Sequence, residues 1–165
     1  MDEALLVLRL LLGLLMAGHG CQKLFGWFRG AGIRGTAAQF ESWGLRPGVP
    51  MATVAGLTEL TAAGLMAAGA LVSVAATMIM AAMMVAGAVS RKEGLWAHLG
   101  GYETALLYGV MALVICIAGA GSYSLDYALG LPMPAGVGWS LLALLLAILA
   151  AAPSLAKLLA TQRHA

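Results

Sequence analysis

Few side chains in this chain can do chemistry: Arg9, His19, Lys23, Glu59, Tyr102, Glu103 and Tyr108 stand among long apolar runs. Glu59 is the only ionisable residue between positions 49 and 90. A carboxyl group in such a segment is costly to bury, which marks it as a functional-site candidate in need of a partner. Taken out of water, it can hold and release a proton, while His19 can hydrogen-bond a carbonyl oxygen or relay a proton to it. A quinone head group requires those elements: an apolar pocket, donors for its oxygens and a proton path to water. His19 and Glu59 are therefore the candidate proton- and quinone-handling residues, with Arg9, Lys23, Tyr102, Glu103 and Tyr108 as candidate binding residues. The competing reading is structural, with Glu59, His19 and Arg9 bonding across helices to lock their pairing.

The elements that must position these groups are transmembrane helices. A single helix over 49–90 would be roughly 63 Å long, about twice the hydrocarbon thickness of a bilayer, so the segment must fold back once. The weakest point is Gly69-Ala70-Leu71-Val72-Ser73, which divides it into spans at about 50–71 and 73–89. The first helix is expected over 4–25. Arg9, Gly13, Met16, His19, Gly20 and Lys23 recur on it at spacings of three and four, one arc of roughly 120° facing the bundle interior. In the second span Ala52, Gly56, Glu59, Ala63, Ala67 and Ala70 share a face whose small residues admit a close neighbour. Between these spans, Thr36-Ala37-Ala38-Gln39 is a capping box by type, and Gly44 with Pro47 supplies a stop. The short helix at 37–43 carries Phe40 and Trp43 on one side and is expected in the headgroup layer. Further spans are expected at 102–118 and 137–159. Between them lies a turn region at 119–136 holding Ser122, Ser124, Asp126, Pro132 and Pro134. Lys157 near the end of the last span can snorkel to the interface.

Composition agrees with this class. Apolar residues make up 62% and charged ones 10%, against about 25% charged in soluble domains. A net charge of +2 is too small to argue for nucleic acid. Asp2 and Glu3 stand where a signal peptide needs basic residues, so the first apolar run reads as a retained span. Cys21 and Cys116 form no CxxC or metal spacing and read as packing residues. Met78, Met80, Met83 and Met84 could in principle ligate a soft metal, but flexible core filling is the more economical role, and no metal site is assigned. No Walker sequence, HExxH or nucleophile elbow occurs, and no flavin, haem or nicotinamide site is assigned. Five spans put Lys23, Arg29, Arg34, Arg46, Arg91, Lys92, Lys157 and Arg163 on or near one side and Arg9 toward the other. The positive-inside rule then sets the N-terminus outside and the C-terminus in the cytoplasm. Helix positions place Lys23 about 3 Å, His19 about 9 Å and Glu59 about 13 Å below the cytoplasmic edge, with Glu103 just beneath it.

Several short motifs, in order, carry a resemblance. Arg9 to Gly13, Gly18-His19-Gly20 with Lys23-Leu24-Phe25-Gly26, Phe40-Glu41 with Gly44, Glu59, Gly100-Gly101-Tyr102-Glu103, and Gly119 and Gly121 with Tyr123-Ser124-Leu125-Asp126 together resemble the DoxX family over about residues 5–130. The resemblance implies an all-α, polytopic transmembrane helical bundle with a four-helix core at 1–130, in the bacterial inner membrane. It also implies association with a quinone-linked or thiol/sulfur oxidoreductase system and redox-stress defence. The partners that follow are the bilayer, a soluble redox protein on the cytoplasmic side and a second copy of the chain. The alternative is a non-catalytic scaffold or small-molecule conduit. Two departures stand out: Ser122 replaces an expected basic residue, and the span at 137–159 is additional to the usual four.

Overall fold

A computed structural model describes residues 2–131 and 134–163, the side chains of Gln162 and Arg163 excepted. Pro132 and the Arg163 side chain thus lie outside the described residues. The chain forms an all-helical bundle: α1 (Asp2–Phe25), α2 (Gly32–Ser42), α3 (Gly48–Ala68), α4 (Val72–Ser90), α5 (Glu103–Ala118), the single turn α6 (Leu125–Ala128) and α7 (Val137–Arg163). Helices α1, α3, α4 and α7 are long and apolar enough to cross a bilayer, and α5 is a shorter apolar helix of 16 residues.

The bundle is built around small residues. Helix α1 packs chiefly on α3, α4 packs on α3, α5 and α7, and α2 lies across α3 and α1. The α1–α3 approach depends on Gly13, where a Cβ would fall 2.9 Å from the Ala63 carbonyl oxygen. Ala62, Ala63, Ala75, Ala76, Ala112 and Ala147 fill the interior with Leu12, Met16, Met66, Ile79 and Ile115. Met80 and Met83 are buried in this core, and Met78 and Met84 pack against it. Cys116 is fully buried there, and Cys21 is half-buried on α1. The outer faces carry exposed Leu, Val and Ile, among them Leu14, Leu57, Val114 and Leu149, the arrangement expected where lipid is the solvent.

The fold-back expected in residues 69–73 is a tight turn. Gly69 (φ 66°) and Leu71 (φ 48°) are both left-handed, and α4 begins immediately after. Helix α2 differs from its expected form. It begins at Gly32 rather than Ala37, and the Thr36 hydroxyl does not cap it but donates to the Lys23 carbonyl oxygen at 3.3 Å. That carbonyl is an orphan of the last turn of α1, and its demand for a donor outweighs the local capping pattern. Phe40 and Trp43 face inward rather than toward headgroups, packing in a cluster with Leu45, Ala52 and Leu158. The exposed aromatics of this end are Phe25, Trp27, Phe28 and Trp96.

Candidate functional site

Lys23 lies in the last turn of α1 and Glu59 in the middle of α3, and the close α1–α3 packing brings them together. The ammonium donates to both carboxylate oxygens, each at 2.7 Å. Glu59 is 3% exposed, whereas the Lys23 side chain keeps 25% of its surface. A carboxylate held on both oxygens by a cation is the geometry that offsets the cost of burying its charge. Glu59 therefore pairs with Lys23, not with His19 or Arg9 as the interlocked structural reading expects.

His19 is one turn earlier on α1. Its ring meets Tyr108 of α5 edge-on, with centroids 5.7 Å apart. Its nitrogens make no protein hydrogen bond among the described residues, and the ring instead borders two cavities. The larger, about 570 Å³, lies among α1, α2, α3, α4 and α7. Its polar wall includes His19, Gln22, Lys23, Gln39, Thr58 and Glu59; Ala81, Ala82, Val85, Ala150 and Ala151 contribute an apolar slot. Arg29, Gly30 and Ala31 close over it from the α1–α2 connection, where Gly30 packs so tightly that a Cβ would sit 2.5 Å from the Gln22 backbone. The smaller cavity borders Tyr102, Thr104 and Tyr108.

Arg9 and Glu103 stand apart from this site. Arg9 is fully buried at the opposite end, donating to the Ala120 carbonyl at 2.6 Å and to the Tyr123 carbonyl. Asp126, 2% exposed, faces it electrostatically and caps α4, accepting from the Leu71 and Val72 amides at 2.7 and 3.0 Å. The Asp126 amide donates to the Gly69 carbonyl at 2.9 Å. Arg9 therefore pins the 119–131 segment across the α3–α4 turn. Glu103, expected in the cluster, accepts from the Ala97 amide at 2.9 Å and so braces the 91–101 loop. It is the first residue of α5, and the loop folds back over it, the Gly101, Tyr102 and Glu103 amides donating to the Trp96, Gly94 and Leu95 carbonyls.

Sequence reasoning did not assign Gln22, Gln39 and Thr58 to the cavity wall, because a neutral polar residue near a helix end is unremarkable until the packing shows which face it lines. The role of Asp126 was also hidden, since its partners are backbone amides of a distant turn. Among the described residues no group of three His, Cys, Asp or Glu side chains is placed to hold a metal.

No curated protein and no solved structure matches the chain. The family model described as DoxX matches residues 4–92, the stretch that carries the α1–α3 pairing, Lys23 and Glu59. With its apolar, outward-facing helices, the chain is an integral membrane protein and belongs to the DoxX family.

Proposed function

We propose that the chain is a membrane subunit of a quinone-linked oxidoreductase system and that the larger cavity receives a quinone head group. The observation that carries this reading is the unfilled valence of Lys23. An ammonium has three donors, and Glu59 takes two of them. Among the described residues the third has no acceptor, and Lys23 lines the cavity. A head-group oxygen there would complete the coordination without breaking the ion pair. His19 and Gln39 supply further donors, and the alanine-lined slot between α4 and α7 suits an apolar tail. At about 570 Å³ the cavity lies within the range of small-molecule sites.

In this reading a soluble thiol or sulfur protein delivers electrons at the end of the bundle that carries Arg29, Arg34, Arg46, Arg91 and Lys92. The charge bias puts that end in the cytoplasm, with the N-terminus outside and the membrane the bacterial inner membrane. Helix α2 would then lie near the cytoplasmic interface. Quinone-linked turnover in native membranes tests the proposal: it should fall in Glu59→Gln and in His19→Ala, and unchanged turnover in both would defeat it.

A second reading, a scaffold or small-molecule conduit, is favoured by the closure of both Glu59 oxygens on Lys23, which leaves that carboxylate with no unmet demand. It predicts that an apolar pair at positions 23 and 59 preserves function in cells.

A further inference from the structure

The Lys23–Glu59 pair stands where two cavities adjoin. His19, Lys23, Glu59, Ala86 and Ser90 border both of them. The two chambers differ in chemistry. The larger has its alanine and valine slot. The smaller, about 140 Å³ among α1, α3, α4 and α5, has an apolar wall at Met83, Ala86 and Ala105, into which Tyr102, Thr104 and Tyr108 join the shared His19, Lys23, Glu59 and Ser90. The hydroxyls of Tyr102, Thr104 and Tyr108 have no protein hydrogen bond among the described residues. Hydroxyls that border a cavity without a protein partner are satisfied by water, and this volume admits about four or five molecules at roughly 30 Å³ each. The chamber also reaches the bundle end at Ser90 and Gly101, beside a loop whose residues 91–100 are all exposed.

We propose that the smaller cavity is a water-filled proton well that supplies the Lys23–Glu59 pair from the bundle end, while the ligand occupies the larger cavity. The well itself stands on this geometry; only the destination of its protons rests on the proposed function. When the Lys23 ammonium gives its third proton to a ligand oxygen, an N–H bond breaks and an O–H bond forms. The amine lone pair then takes a proton from the water file, with His19 and Tyr108 along its edge, and the file draws one from solution. Glu59 remains a carboxylate throughout and holds the amine in place.

Two measurements on the full chain in nanodiscs, without quinone, test the well. In a background carrying Cys21→Ser and Cys116→Ala, Ala105→Cys places a thiol on the small chamber, and Val114→Cys places one on the exposed outer face of the same helix. A cationic methanethiosulfonate, which requires a hydrated thiolate, should modify the first about tenfold faster or more. Equal, slow rates would mean a dry chamber and overturn the proposal. Second, hydrogen exchange at the His19 ring, followed by NMR of ¹⁵N-histidine protein, should slow about tenfold in Ala105→Leu and not in Ala82→Leu, which obstructs only the larger cavity. Slowing in Ala82→Leu alone, or in neither, would overturn it. Should Ala105→Leu fail to fold, the thiol rates still decide. A failure to bind quinone leaves both measurements untouched, so the two ideas fail separately.

Discussion

The Lys23 ammonium sits 2.7 Å from each carboxylate oxygen of Glu59, tying the last turn of α1 to the middle of α3. The partners are unequal. The carboxylate is buried to 3% exposure and has no alternative, whereas the lysine keeps a quarter of its side-chain surface and borders a cavity.

That inequality predicts an order of stabilities. Lys23→Ala strands a buried charge and should cost about 3–5 kcal/mol. Glu59→Gln leaves a lysine that can turn toward the cavity and should cost about 1–2 kcal/mol. The apolar double variant Lys23→Met/Glu59→Leu should recover most of the loss. Thermal melts of the purified variants in one detergent check the order, and equal losses in the two single variants would contradict it.

At the other end, Asp126 caps α4 while Arg9 holds the carbonyls of Ala120 and Tyr123. Asp126→Asn should cost about 1–3 kcal/mol through a weakened charged cap. Arg9→Leu should cost a similar amount, and the double variant less than the sum, because both residues anchor the same segment. Limited proteolysis within 119–131 should accelerate in each. Cleavage confined to the 91–101 loop would show that the segment does not depend on them.

Glycine positions give a third set of outcomes, read from the same detergent melts. At Gly69, with φ 66°, an added Cβ would collide with the Arg9 guanidinium. Gly69→Ala should therefore lower stability by about 1–3 kcal/mol, since the backbone conformation is also unfavourable for alanine. Gly13→Leu should drive α1 from α3 at the Ala63 carbonyl, at about the same cost. Gly64, where an added Cβ would meet nothing within 4 Å, is the control. Gly64→Ala should be neutral or stabilising by about 0.5–1 kcal/mol in the middle of a helix.

Much of this architecture was legible in the chain because a bilayer imposes length and periodicity. The Gly69 turn and the inward face of α1 follow from those two constraints alone. The partner of Glu59 was less legible. Counting rise per residue sets Lys23 about 10 Å shallower than Glu59, a gap that a long side chain and a close helix crossing can span. Thr36 misled because a capping pattern is local, whereas the orphan carbonyl of Lys23 that claims its hydroxyl belongs to another helix. Glu103 misled for a related reason: its depth along α5 was readable, but the fold-back of the 91–101 loop that captures it was not.

The decisive experiment is quinone binding to the purified protein in nanodiscs, titrated for wild type, Glu59→Gln, His19→Ala and Lys23→Met. A head-group site at Lys23 predicts saturable binding in the wild type, weakened about tenfold or more in Lys23→Met through loss of a charged donor, and weakened also in His19→Ala and Glu59→Gln. No saturable binding in the wild type, or equal affinity in all four proteins, would contradict it and leave the Lys23–Glu59 pair as a structural tie between α1 and α3.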